Sequence, residues 1–235
     1  MNYAIIAAGE GSRLLQEGVR QPKPLIELNG FPLIGRLISI FCRNNATSIN
    51  VIVNEEMVEV REHLQSLCLD IPLNLVVKST SSSMHSFFEL SGFLQKGKFC
   101  LTTVDTIFKE DEFATFIQAF EDNNDCDGMM AVTDYIDDEK PLYVSVTEET
   151  LMIDGFLDAS TGSEKYVSGG IYCLTPKAIL TLNQCLTNGV SRMRNYQRQL
   201  IADGLNLKAY PFKKIIDVDH AEDIEKAEKF LKTNL

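Results

Sequence analysis

Two cations ten residues apart, in a stretch rich in glycine and proline, are the first chemistry visible in this chain of 235 residues. Arg13 lies in Ala7-Ala8-Gly9-Glu10-Gly11-Ser12-Arg13-Leu14, and Lys23 in Pro22-Lys23-Pro24-Leu25. The first segment follows directly on an apolar run at residues 3–8. Gly9 and Gly11 let a backbone bend tightly and approach a ligand closely, and amide groups exposed in such a loop bind phosphate oxygens. Residues 1–36 carry four cations against three carboxylates, in a chain whose formal net charge is −11. Positive charge is therefore gathered where an anion would bind. A plain turn between strand and helix would also account for the glycines. The spacing is not a dinucleotide-binding fingerprint, because Leu14 stands where a third glycine would fall. It is not a P-loop either, because no Gly-Lys-Ser/Thr ending follows.

Positioning these residues takes a scaffold, and the hydrophobic pattern describes one. A short unbroken apolar run at 3–8 suits a strand buried on both faces, and further strand runs fall at 50–54, 73–77, 99–104 and 128–133. Helical spacing falls between them at 31–44, 55–68, 84–95 and 111–121. Strands alternating with helices at this interval imply βαβ crossovers and a mostly parallel sheet. The pattern then changes to a hairpin (143–146 and 151–156), a strand at 166–174, helices at 176–186 and 191–203, short strands at 207–212 and 215–218, and a closing helix at 221–232. We expect one three-layer α/β/α domain, Rossmann-like with a mixed sheet: a nucleotide-binding half at 1–133 and an acceptor-binding half with a small β-rich elaboration at 134–235. Two aspartates sit where such a sheet places ligands, at strand ends. Asp105 closes the 99–104 run and Asp217 precedes the last helix. A cap or turn is the other reading of Asp105. Asp217 also belongs to an acidic cluster with Asp219, Glu222 and Asp223 at a helix start, where negative charge is favoured. Asp219 is the best candidate for the N-cap.

Residues 6–14 and 22–25 together resemble the signature of the nucleotidyltransferases that make sugar nucleotides, L-A-A-G-x-G-[ST]-R-L followed by P-K-P-L with its lysine ten residues after the arginine. Glu27-Leu28-Asn29-Gly30-Phe31-Pro32-Leu33 resembles the family's continuation. The resemblance implies transfer of a nucleoside monophosphate from a nucleoside triphosphate to a sugar 1-phosphate, with release of pyrophosphate. It implies that Ala7, Ala8, Gly9, Gly11 and Ser12 hold the nucleotide, that Arg13 and Lys23 are catalytic, and that Asp105 and Asp217 hold Mg²⁺. Ser82 and Ser83 fall where relatives turn into a helix beside the base, and they serve either the base or the helix cap. Tyr166-Val167-Ser168-Gly169-Gly170-Ile171-Tyr172 resembles the strand that lines the sugar pocket, making Ser168, Gly169 and Gly170 acceptor-binding residues; a β-bulge is the equal alternative. The family's Glu-Lys-Pro after the preceding hairpin is missing. Lys165 is the candidate substitute for its lysine, with Lys213 and Lys214 as alternatives. Glu139-Lys140-Pro141 spells the tripeptide but precedes the hairpin. Asp219 and Ala221 depart from the family's usual glycine and proline.

Composition narrows the classes. The acidic balance argues against nucleic-acid or anionic-membrane binding, which want basic patches. No stretch approaches the ~18 apolar residues of a membrane span. Six cysteines without a Cys-x-x-Cys pair, most in apolar runs, read as reduced buried thiols in a cytoplasmic protein. Isolated His63, His85 and His220 leave no zinc site. The partners expected are a nucleoside triphosphate and a phosphorylated small molecule, in a stand-alone monomer or homo-oligomer. Two other readings stand beside the first: a cytidylyltransferase for phosphocholine or another phospho-alcohol, and a catalytically inactive nucleotide sensor or partner subunit.

Overall fold

The computed structural model describes residues 1–232. Its elements in chain order are β1 (Asn2–Ala7), α1 (Ser12–Gln16), a 3₁₀ turn (Lys23–Leu25), β2 (Glu27–Leu28), β3 (Phe31–Pro32), α2 (Leu33–Arg43), β4 (Ser48–Val53), α3 (Val58–Ser66), β5 (Leu73–Val77), α4 (Ser83–Ser91), β6 (Phe99–Thr103), β7 (Thr106–Ile107), α5 (Glu110–Asp122) and β8 (Gly128–Thr133). There follow β9 (Tyr143–Val146), β10 (Ile153–Leu157), β11 (Tyr166–Leu174), α6 (Lys177–Thr187), α7 (Met193–Ala202), β12 (Leu207–Phe212), β13 (Ile216–Asp217) and α8 (Ala221–Lys232).

A nine-stranded mixed sheet forms the middle layer, in the order β10-β9-β11-β6-β1-β4-β5, with β8 also pairing β11 and β12 pairing β8. The β6-β1-β4-β5 stretch is parallel, whereas β11 runs antiparallel to both β6 and β8. Because side chains alternate across a strand, β1 sends Tyr3, Ile5 and Ala7 into one core and Ala4 and Ile6 into the other. The first core is covered by α2, α3 and α5, with Tyr3 stacked on Phe41 at 4.3 Å between centroids. The second is covered by α4, α6 and α7. This is the expected three-layer fold, and the C-terminal ends of β6, β1, β4 and β5 emerge side by side along one edge.

Three local features differ from the sequence reading. Phe31 and Pro32 do not begin α2. Asn29 and Gly30 both adopt positive φ (52° and 82°) and close a β2–β3 hairpin, the backbone that an Asn-Gly turn favours. Residues 12–16, expected as loop, form α1, which buries Leu14. Cys42 and Cys68 are exposed; the other four cysteines are buried, and all six are free thiols.

Candidate active site

Lys23 is the centre of the site. Its side chain is only 8 % exposed, and its Nζ bridges two carboxylates, Asp105 Oδ2 and Asp219 Oδ1, the latter at 2.7 Å. Burial by itself would depress the ammonium; the two carboxylates override this and hold it above its usual range. Asp105, at the end of β6, shows the converse. Burial raises its carboxyl, but the charge and hydrogen bond of Lys23 bring it below the ordinary carboxylate range. Arg13, the second cation, donates from Nη1 to Asp219 Oδ2 at 3.1 Å and remains about half exposed. The glycine loop is shaped around Lys23. Gly11 has φ +63°, and a Cβ there would lie 3.3 Å from Lys23 Cβ, so a side chain would be strained in conformation and would press on Lys23. Gly9 is under neither constraint.

Asp217 reaches this centre through a two-residue sheet. Residues Ile216 and Asp217 of β13 pair antiparallel with Ile107 and Thr106 of β7, and the Val218 amide donates to the Asp105 carbonyl at 3.1 Å. The strand end that carries Asp105 is thereby laced to the segment that carries Asp217, 112 positions later. β11 leaves room for the junction: Gly169 lies under Ile215, and Gly170 (φ +74°) lies under Thr106, with a Cβ at either position in collision or close contact. The register of β11 against β8 also shifts between Ser168 and Tyr172. The Gly-Gly pair is therefore a bulge that seats β7 and β13. Asp217 is exposed on β13 and opens onto the site. Desolvation by its surroundings raises its carboxyl to about 7, with the charges of Asp105 and Asp219 adding to the effect. A hydrogen bond from Thr106 and the charge of Lys23 offset this only in part.

The reading of Asp219 as an N-cap is corrected. Asp219 spends its carboxylate on Arg13 and Lys23. The start of α8 is instead satisfied by Asp223, whose Oδ2 accepts from the amides of Asp219 (3.1 Å) and His220 (2.8 Å), and by Glu17, which accepts from the Ala221 amide at 2.6 Å. An acid at the third helical position reaching back over the helix start is a capping-box arrangement. Asp223→Ala is accordingly expected to cost about 1 kcal/mol in chemical denaturation, and the variant retains Asp219.

Three clefts meet at these carboxylates. One of about 760 Å³ is lined by Ala8, Gly9, Gly11, Ser12, Arg13, Lys23, Asp105 and the run 79–83, so it gathers the candidate nucleotide residues except Ala7, which is buried in β1. Ser82 occupies the N-cap position of α4 but makes no cap bond; its hydroxyl meets His85 Nδ1 at 2.8 Å. A second cleft of about 350 Å³ lies beyond Asp105 and Asp217 and contains Ser168, Gly170, Tyr172 and Gln197. Ser168 donates to Gln197 Oε1 at 3.2 Å, and Gln197 Nε2 to the Tyr172 hydroxyl at 3.4 Å. The third, of about 490 Å³, is lined by Ser168, Gly169, Asp217 and the acidic loop 137–139. Lys165 is not brought to any of them. It is exposed and lies over the Tyr166 ring at 5.2 Å. Lys213 and Lys214 face a separate surface pocket. The cations that do border the second cleft are Lys140, Arg192 and Arg194. Lys140 carries a legible signal, the Glu139-Lys140-Pro141 tripeptide. Arg192 carries none, because the feature that marks it is its backbone. It stands at φ 73°, ψ 137°, a region that non-glycine residues avoid and that marks functional sites.

The model of one family, Nucleotidyl transferase, matches residues 3–234. The chain belongs to the nucleotidyl transferase family. No curated protein sequence gives a significant match. Among solved structures, the inositol-1-phosphate CTP transferase from T. maritima superposes with a TM-score of 0.81 at 17% identity, over 100% of this chain and 97% of that one. A putative glucose-1-phosphate thymidylyltransferase from Bacillus anthracis, solved in complex with a sucrose, gives 0.86 at 15% identity over 100% and 96%. A UDP-glucose pyrophosphorylase from Acinetobacter baumanii gives 0.80 at 13% identity over 97% and 91%. These likenesses establish the nucleotide-diphospho-sugar transferase fold over the whole chain. Among the described residues no helix is long and apolar enough to cross a membrane.

Proposed function

We propose that this nucleotidyltransferase forms a nucleoside-diphosphate sugar from a nucleoside triphosphate and a sugar 1-phosphate. The observation that carries the acceptor class is the polar floor of the second cleft. Ser168, Gln197 and Tyr172 form a hydrogen-bonded chain there, beside Asp217, with Arg192 and Arg194 at the edge. Hydroxyl and amide groups held in place suit a polyhydroxylated ring, and guanidinium groups suit its phosphate.

In this reading the glycine loop cradles the triphosphate with its amides. Lys23 neutralises charge developing at the α-phosphorus, and Arg13 holds the departing pyrophosphate. An oxygen of the acceptor phosphate forms a bond to the α-phosphorus while the bond to the bridging oxygen of the β-phosphate breaks. The attacking oxygen arrives ionised, so positioning and charge neutralisation suffice without a general base. Asp105 and Asp217 would hold Mg²⁺, which when bound supplies charge neutralisation at the phosphates. The donor set fits. Both are hard carboxylate oxygens, and Asp217 forms no ion pair among the described residues, the charge of Lys23 acting on it without direct contact. No three metal-binding side chains converge among the described residues. That agrees with a cation that keeps several waters and takes one or two carboxylates plus substrate phosphates.

The test is pyrophosphate release with Mg²⁺ from a panel of triphosphates, each paired with glucose 1-phosphate, inositol 1-phosphate or phosphocholine. Release with glucose 1-phosphate supports the proposal. Release only with phosphocholine supports the second reading, for which Tyr135, Asp137 and Asp138 in the neighbouring cleft would supply a cation-binding wall. No release from any pair supports the inactive relative. Arg192→Gly sharpens the acceptor assignment. Glycine tolerates the backbone that strains arginine, so stability should hold or rise by about 1 kcal/mol. If Arg192 meets the acceptor phosphate, KM for the acceptor rises about tenfold or more, while KM for the triphosphate stays.

A further inference from the structure

One donor in the nucleotide cleft has no use in the phosphate-binding scheme. Asn54 follows β4 directly. Its neighbour Val53 pairs in register with Ala7, so Asn54 stands beside the start of the glycine loop. It is 8 % exposed, and that surface opens onto the 760 Å³ cleft. Its Oδ1 accepts the Glu56 amide at 2.9 Å. This bond orients the side-chain amide: the oxygen turns to the Glu56 amide, and Nδ2 is the end left for the cleft. Nδ2 has no partner among the described residues. Nδ2 faces solvent in the cleft, so a ligand that covers it must supply an acceptor or leave the donor unpaired. Three nearby hydroxyls have protein partners. Ser79 Oγ accepts from the Glu55 amide, Thr80 pairs with Ser86 at 2.6 Å, and Ser82 pairs with His85.

The sheet order says which part of a nucleotide reaches Asn54. The strands run β6-β1-β4-β5, so Asp105 and Lys23 lie on the β6 side of the glycine loop and Asn54 on the β4 side. Two strand spacings separate them, about 10 Å. A triphosphate whose α-phosphorus sits at Lys23 can reach the β4 side with its base. Glu56, with its carboxylate on the same wall, makes that end hostile to phosphate.

We infer that Asn54 reads the nucleobase and selects an exocyclic oxo group, as in uracil, thymine and guanine, over an exocyclic amino group, as in cytosine and adenine. The inference rests on the transferase reading above. Asn54 is recessed, so it meets the part of a base edge that projects furthest, the exocyclic substituent. An amide held in this orientation presents Nδ2, a donor, to the cleft, so an oxo group is accepted and an amino group sets two donors face to face.

Equilibrium binding of UTP, dTTP, GTP, CTP and ATP, each with Mg²⁺, tests it on the full chain. The oxo bases should bind about tenfold to a hundredfold more tightly than CTP and ATP, the range that one unpaired buried donor commands. Asn54→Asp keeps the acceptor for the Glu56 amide and replaces the donor by an acceptor. It should reverse the ranking towards CTP and ATP, and the ratio is read so that any general loss cancels. Equal binding of all five by the unmodified protein, or a preference for CTP or ATP, overturns the inference and leaves the transferase reading standing. Loss by the same factor for every base in Asn54→Asp also overturns it, since that pattern belongs to a sugar or structural contact. Binding of none of the five removes the transferase reading and this inference together.

Discussion

Lys23→Ala is expected to abolish turnover and to destabilise the protein, whereas Arg13→Ala should abolish turnover alone. The two cations look equivalent in the sequence but occupy different environments. Arg13 is about half exposed and pairs with Asp219 at the surface, where an ion pair adds little to stability. Lys23 is 8 % exposed and compensates Asp105, which is itself largely buried. Removing one partner of a buried pair leaves an uncompensated charge, at a cost of about 3 kcal/mol or more. Loss of a charge aimed at the transition state costs ~10²–10³ in rate. Denaturant midpoints and initial rates of pyrophosphate release separate the two effects. A Lys23→Ala protein as stable as the unmodified one would contradict the buried bridge, and one with full activity would remove Lys23 from the chemistry.

Asp217→Asn is expected to lower activity by at least about a hundredfold and to flatten the pH dependence of stability in the absence of divalent cation. The folded state holds the Asp217 carboxyl up at about 7, against an ordinary value of about 3.9 in an unfolded chain. A raised carboxyl means that the folded state binds the proton more tightly. The contribution of this group to stability is therefore complete below about pH 4 and is lost progressively as pH rises towards 7. Thermal melts in chelator should show that decline in the unmodified protein and a smaller one in Asp217→Asn. Mg²⁺ added at pH 7–8 should stabilise the unmodified protein and do so much less for the variant. Identical pH profiles and an unaltered response to Mg²⁺ would count against Asp217 as a ligand. Asp105→Asn does not share the expectation. Its carboxylate is lowered by Lys23, so neutralising it removes a favourable partner and should destabilise.

Much of the architecture was legible because burial imposes a pattern on the chain. The runs at 3–8, 99–104 and 128–133 read as strands because both faces are covered and almost every residue is buried. Gly11, Arg13 and Lys23 were legible because a loop that wraps a lysine needs a glycine of positive φ at one fixed place. The hairpin at Asn29 and Gly30 was equally available from its turn chemistry, and it was hidden by the helical spacing that continues from Phe31.

What the sequence determined alone is the parallel sheet and the cations on its first loop, which local propensity and spacing encode, and the family, which its motifs resemble. What only the tertiary structure decided is how charges separated by about a hundred residues or more settle against one another. The sequence offers Asp217, Asp219 and Asp223 as interchangeable acids at a helix start. The β7–β13 pairing turns Asp217 towards Asp105, the bridge to Arg13 and Lys23 takes Asp219, and only Asp223 is left to cap α8. Arg192 and Lys140 reach the second cleft, while Lys165, adjacent in sequence to the strand that lines it, points elsewhere. Strand pairing and packing act across the chain, and a carboxylate or a guanidinium carries no mark in its own sequence neighbourhood of the partner that folding will set beside it.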